Sequence, residues 1–407
     1  MRILHTADWH LGHSLNGWPR DAEHRAWLGR LAELIGEEEI DVLIVAGDIF
    51  DGINPSGEAQ RLLYEALRAF RERRPSLVTV ITAGNHDPAG RLEAPSAILR
   101  SLDVHVVGTV RRIDGEIDIG HHLVPIRDAK GDVRAHVLAI PFLRAADLPG
   151  LSFAGEETGV SPVVAAARAF HAGIAAAADA VADGLPVIAT GHLHCAGGTE
   201  SEGAERRILI GGEHALPADV FPASFAYVAL GHLHGPQSLD GGRIRYSGSC
   251  FPLSSSEIGY DHGVTILDLD ADGIAARHVA IPRPAAFHRL PASGAIGLGA
   301  FEEALAGLDL DPGLPKDLQP FVYATLQAEG PASVLLSEAE RLLAEYPVRQ
   351  GGIRIQRALE EGAAAQSLLT LDETNPEDLF VAAFRKVNGS DPEARHLSAF
   401  RDTINGA

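Results

Sequence analysis

The sequence predicts an α/β fold: a layered, two-sheet domain with helices on its outer faces, followed by a small α+β module and a C-terminal helical tail. Three observations predict it. Short apolar runs alternate with helical patterns over the first hundred residues. After Val104 the pattern becomes strand-rich. The chain then changes character after a proline-punctuated break at Pro282–Pro284.

The elements follow in order. Arg2–Thr6 reads as a strand, and residues 21–38 read as a helix with Trp27, Leu31, Leu34 and Ile35 at helical spacing. Residues 41–46 (DVLIVA) form a buried strand, 57–74 a second helix with Leu63, Leu67 and Phe70 on one face, and 77–82 a third strand. Residues 95–102 complete this part as a short helix. A β-α-β-α-β order implies a largely parallel sheet covered on both faces. Beyond Val104, strands are expected at 136–141, 186–190, 207–210, 227–230, 243–247, 263–269 and 274–281, with a long helix near 163–182. These supply a second sheet packed on the first. The α+β module takes a helix at 301–308, a strand at 318–326, an amphipathic helix at 332–345 and a strand at 348–355. The domains expected are thus 1–283, 284–356 and 357–407. In the last, residues 376–387 open a helix with Phe380 and Phe384 one turn apart.

Composition narrows the class. With 46% hydrophobic and 22% charged residues over 407 positions, wholesale disorder is excluded. No run approaches the roughly 18 uninterrupted apolar residues of a membrane span. The best stretch, 163–182, carries Arg168, His171 and Asp179. The N-terminus, MRILHTADWH, does not read as a secretory signal. Cys195 and Cys250 cannot form a disulfide framework, and no Cys-x-x-Cys is present, which fits a reducing cytoplasm. The charge is −21, from 34 Lys+Arg against 55 Asp+Glu. So acidic a chain repels nucleic acid unless bound cations reverse the field locally.

The chemistry lies in five motifs that follow predicted strands: Asp8-Trp9-His10, Gly47-Asp48-Ile49-Phe50-Asp51, Gly84-Asn85-His86-Asp87, Gly191-His192 and Gly231-His232-Leu233-His234. Open α/β sheets place binding residues at the carboxyl ends of their strands, so these motifs converge in space. Asp-x-His and His-x-His put both side chains on one face of an extended segment. Carboxylate, imidazole and amide oxygen together suit a mixed N/O site for Mn²⁺, Fe²⁺ or Zn²⁺ rather than an all-oxygen Ca²⁺ cage.

All five motifs, in this order, resemble the calcineurin-like metallophosphoesterase family. The segments MRILHTADWHLG, IVAGDIFD, TAGNHD, IPFLR, IATGHLH, YVALGHLH and YSGSC-PLS are similar to the SbcD family of DNA-repair nucleases, from Met1 to about Leu269 and more weakly beyond. The resemblance implies that Asp8, His10 and His234 hold one metal ion, that Asn85, His192 and His232 hold a second, and that Asp48 bridges them. His86 would stand beside the scissile phosphate as general acid or charge stabiliser, oriented by Asp51. It further implies two Mn²⁺ ions and 3′→5′ exonuclease activity on duplex DNA. Endonuclease activity on single strands, a homodimer, and an SbcC-type ATPase docked on the C-terminal segment complete the implied picture. Residues 284–356 match the family's capping domain in position.

Other residues are weighed against ordinary structural roles. Trp9, His13, Arg20, Arg25 and Arg91 are candidate DNA contacts, with the segment 11–25 as part of the DNA-facing rim. Arg144 and His214 are candidate substrate contacts. His5, His121, His122, His136, His171 and His262 read as loop or core imidazoles. Two departures from the family stand out. His194 is a spare imidazole beside His192, and Cys250 replaces the proline of a Gly-Ser-Pro turn. The capping segment is poor in basic residues, with only Lys316 and Arg341 between Ala300 and Pro347. Two further readings stay open: a dimetal phosphoesterase for a small substrate, and a mainly architectural subunit binding DNA ends and an ATPase.

Overall fold

Each of two six-stranded sheets has a parallel centre. The computed structural model describes residues 1–151, 161–201 and 215–356, together with 384–385, 392 and 396–397. In the first sheet the strand order is Gly273–Ala280, Gly263–Asp270, Arg2–Thr6, Val42–Ala46, Val78–Thr82, Val104–Val107. The last four run parallel, and the first two close one edge as an antiparallel hairpin. In the second the order is Gln237–Leu239, Ile244–Tyr246, Phe225–Gly231, Val187–His192, Val133–Leu138, Leu123–Arg127, with four parallel strands between antiparallel edges.

The alternation of each strand decides the layering. Ile3, Val42, Ile44 and Val80 from the first sheet meet Val137, Ile188, Tyr227 and Ala229 from the second, forming the core between the sheets. The opposite faces are covered by helices. Leu31, Ile35, Leu63, Leu67 and Phe70 of the helices Asp21–Glu37 and Gly57–Arg73 pack against Leu4, Leu43, Val45 and Ile81. Phe170, Ile174 and Ala178 of the helix Pro162–Ala182 cover Ala189, Val228 and Leu230. By length and composition that helix is apolar enough to cross a membrane, but here its apolar stripe is the lid of the second sheet. The expected layered α/β architecture is the one observed.

The strands Phe287–Leu290, Phe321–Gln327 and Arg349–Gln356 pair in parallel as a third sheet. Helices Leu298–Ala306 and Ala332–Ala344 cover one face through Phe301, Leu305, Leu335, Ala339 and Leu342. Residues Met1–Gln356 form one compact unit, and Arg357–Ala407 a second. Most of the predicted terminal helix, Phe380 included, lies outside the described residues, as do the predicted strand 207–210 and His214.

Four strands of the three main sheets went unanticipated: Val104–Val107, Leu123–Arg127, Gln237–Leu239 and Phe287–Leu290. Leu123–Arg127 contains Pro125, which argues against a strand in sequence. It is tolerated because this strand lies at a sheet edge. The strand expected at 136–141 is instead Val133–Leu138.

Candidate dimetal site

The residues at the carboxyl ends of the parallel strands of both sheets converge on one place. Asp8 and His10 follow Arg2–Thr6, Asp48 follows Val42–Ala46, and Asn85 and His86 follow Val78–Thr82. From the second sheet come His192, which ends its strand, and His232 and His234, which follow Phe225–Gly231. Ligand atoms gather in three clusters, each within 4.8 Å: Asp8, His10 and His234; His10, Asp48 and His86; Asp8, Asp48 and His192. Two residues lie beside these clusters. Asn85 Oδ1 is 3.0 Å from His192 Nε2. The His232 ring lies 5.6 Å, centroid to centroid, from that of His192, and its main-chain N–H donates to Asp8 at 2.9 Å.

The backbone is bent hard to achieve this. Asp8, His10, Asp48 and His232 have positive φ angles of 52°, 47°, 50° and 101°. Non-glycine residues hold such conformations at a cost of about 1–3 kcal/mol each, and they collect where surrounding structure over-determines them. Gly84 allows the final approach, since a Cβ there would fall on the Asp48 carboxylate.

Four imidazoles share one design. His192 Nδ1 donates to the Ala46 carbonyl at 3.0 Å, and His234 Nδ1 to Glu257 Oε1 at 2.9 Å. His10 Nδ1 lies 3.3 Å from Asp51 Oδ1, and His86 Nδ1 donates to the Asp51 main-chain carbonyl at 2.8 Å. Anchoring Nδ1–H fixes the tautomer and leaves Nε2 with its lone pair, the state a metal ligand needs. Asp51 therefore holds His86 through its carbonyl, while its carboxylate turns to His10.

These residues fit a pair of divalent cations. Once Nδ1 of His192 carries the proton, its Nε2 and Asn85 Oδ1 are two acceptors facing each other at 3.0 Å, with Asp48 Oδ2 at 3.3 Å. A bound cation, or a proton on Nε2, reconciles them. His10 Nε2 and His232 Nε2 are buried without a hydrogen-bond partner among the described residues. The electrostatics agree. Burial pushes the Asp8 carboxyl up to about 6, against the pull of His192 and His234. Burial also works against ionised Asp48, but His192, His10 and His86 outweigh it and hold that carboxyl well below the usual range. Burial opposes charge on His192 too, yet Asp48 and Asp8 lift its pKa to about 9. Two buried carboxylates are thus drawing charge onto the nearest imidazole, the demand a bound cation meets.

Three positioning residues were not singled out in sequence. The Asp87 carboxylate accepts the N–H groups of Ile49, Phe50 and Gly84, stitching the Asp48 loop to the Asn85 loop. Tyr246 Oη donates to the Leu193 carbonyl and accepts the Cys195 N–H, each at 2.8 Å, clamping the turn after His192. Glu257 is fully buried behind His234. Asp87 belonged to a quoted motif and its acid could have been read; nothing local marks the other two. His194 Nδ1 pairs with Glu200 at 2.9 Å.

Two candidate DNA contacts are corrected. Trp9 is fully buried against Trp27 and Phe70, its Nε1–H spent on Thr6 Oγ1. Arg20 is fully buried too, its guanidinium paired with Glu23. Both are anchors within the fold, one apolar and one ionic, out of reach of a polymer. The segment 11–25 partly faces the third sheet: Asn16 Nδ2 donates to Tyr323 Oη and Trp18 Nε1 to the Gln350 carbonyl. His13 sits half-buried near His10, Arg25 is exposed beside Glu58, and Arg91 is exposed with Nη1 on Asn54 Oδ1.

Residues 1–236 match the calcineurin-like phosphoesterase family. The chain is 56% identical over 384 residues to the SbcD component of the nuclease SbcCD of Rhodobacter capsulatus, covering 94% of each. It is 31% identical to the protein of the same name from Bacillus subtilis, covering 100% of this chain and 98% of the relative. To that of Escherichia coli it is 36% identical over 297 residues, 70% of each.

Proposed function

Because this chain belongs to the calcineurin-like phosphoesterases, and within them to the SbcD-type nucleases, we propose that it is the DNA-cleaving component of an SbcC–SbcD assembly. Its chemistry is metal-dependent hydrolysis of phosphodiester bonds, with Mn²⁺ as the working ion. The substrates are duplex ends, cut 3′→5′, and single strands, cut internally. It works in the cytoplasm as a homodimer, with an ATPase partner docked on residues 357–407. The observation that carries this reading is the meeting of the two acceptors His192 Nε2 and Asn85 Oδ1 beside Asp48, where a cation belongs.

Asp8, His10 and His234 would hold one ion, Asn85, His192 and His232 the other, and Asp48 both. Bound there, two divalent cations lower the pKa of water and neutralise phosphoryl oxygens. The protein's part is to orient and to move protons. The Asp51 carbonyl fixes Nδ1–H of His86, so Nε2 is the atom that takes up a proton, making the imidazolium, and from there gives it to the leaving oxygen. Asp51 Oδ1 aligns His10, and Asp87 holds both loops at the separation the reaction needs.

The test is Mn²⁺-dependent digestion of end-labelled linear duplex DNA, run beside a chromogenic small diester. The His86→Gln variant should keep its metals and lose cleavage by about 10²–10⁴-fold. Parent-level cutting by that variant removes His86 from the reaction. Turnover of the small diester with DNA left intact makes the substrate a small phosphoester instead.

A further inference from the structure

The loop 251–258 is held from three sides. Arg20 Nη1, at the start of the first long helix, donates to the Pro252 carbonyl at 3.0 Å. Arg283 Nη2, on the connection between the first and third sheets, donates to the Ile258 carbonyl at 2.8 Å. Arg289 Nη2, from a strand of the third sheet, donates to the Ser255 carbonyl. A loop with so many charge-assisted anchors is being kept in one conformation. The side chain it delivers to the site is Glu257. This residue, 0% exposed, accepts His234 Nδ1–H on Oε1 at 2.9 Å and Leu253 N–H on Oε2 at 2.8 Å, with Ser254 Oγ at 3.3 Å.

We infer that Glu257 is the positioning residue of one metal position: set by the arginine-clamped loop, its carboxylate holds His234 in the tautomer and orientation that complete the Asp8–His10–His234 cluster. The inference rests on the dimetal reading above and deepens it. Of the ligand imidazoles with an observed Nδ1 anchor, His192 leans on a strand carbonyl that no substitution removes. His234 instead depends on a side chain and on a loop tied to the third sheet. Only a carboxylate satisfies the geometry. Glu257 must accept on both oxygens, whereas a glutamine offers one acceptor and one donor, so either His234 Nδ1–H or Leu253 N–H would face an N–H. Outer-shell partners of this kind typically change metal affinity about 10–100-fold. The prediction is therefore asymmetric, touching one ion and sparing the other.

The experiment is a calorimetric Mn²⁺ titration of the full chain, with thermal unfolding to establish that each variant is folded. The parent should take up two equivalents. In Glu257→Gln, one equivalent should weaken at least about tenfold while the other is unchanged, with a larger loss in Glu257→Ala. If Glu257→Ala does not fold, the near-isosteric Glu257→Gln carries the test. A folded Glu257→Gln that binds both equivalents with parent affinity overturns the inference and leaves the dimetal reading standing. A parent that does not bind two equivalents overturns the dimetal reading itself.

Discussion

The change Glu23→Gln should lower the stability of the unit Met1–Gln356 by about 3–5 kcal/mol, because it breaks a buried ion triad. Glu23 is fully buried between two fully buried arginines. Its carboxylate accepts Arg20 Nε at 2.6 Å and Nη2 at 2.7 Å, and Arg349 Nη1 at 2.8 Å. Phe321 packs between them: its ring centre is 3.8 Å from the Arg349 guanidinium carbon and 5.3 Å from that of Arg20. Arg349 Nη2 already lacks a hydrogen-bond partner among the described residues, so losing the carboxylate adds to a polar deficit already present there. With Glu23 neutralised, two guanidinium charges remain in a low-dielectric pocket, each missing a charged partner. Arg349 belongs to the third sheet and Glu23 to the first long helix, so the triad also fastens these parts together. At roughly 2 °C per kcal/mol for a unit of this size, the melting temperature should fall by about 6–10 °C. Differential scanning calorimetry measures it, and hydrogen exchange should quicken first in Phe321–Gln327 and Arg349–Gln356. The control is Glu33→Gln, which breaks the exposed pair with Arg30 and should cost no more than about 0.5 kcal/mol. If both variants melt within a degree of the parent, the reasoning about the buried triad is refuted.

Acid should weaken the fold through its buried imidazoles. Burial is the leading cause that lowers His5 and His24 to about 3. With folded values below the unfolded ~6.5, stability is whole above that pH and is lost as pH falls towards 3. Between pH 7.5 and 5 each should remove about 2 kcal/mol, and a urea midpoint that does not move over that range contradicts it. Arg91, exposed beside Asn54, is a candidate phosphate contact that survives the structure. Arg91→Ala should weaken duplex binding at unchanged melting temperature and reduce the slope of log K against log salt by about 0.9; an identical slope removes Arg91 from the interface.

What the sequence made legible, and what it hid, divides along one physical line. The clustering of the motif residues was legible because chain geometry forces each motif to be local. A strand end, a glycine turn and a short polar residue must be consecutive, and Asp48, Asn85, His192 and His232 all carry that imprint. The two sheets were legible because strands buried on both faces read as unbroken apolar runs, such as VLIVA at 42–46. The supporting residues left no such mark. Glu257 meets His234 across 23 positions, Tyr246 meets Cys195 across 51, and Glu23 meets Arg349 across 326. No local pattern requires these residues at their places; only the fold makes them necessary. The same reason explains the errors. Trp9 and Arg20 lie close to His10 in the chain and look like rim residues in sequence. Yet with Asp8 and His10 both turned to the site, Trp9 between them faces the other way and enters the core. An arginine near an active site is read as a phosphate contact by default, but Arg20 has a carboxylate three residues on, at helical spacing, and burial makes that pair the stronger claim. The site is thus written twice: its clustered side chains in short motifs, and the frame that aims them in contacts between distant residues.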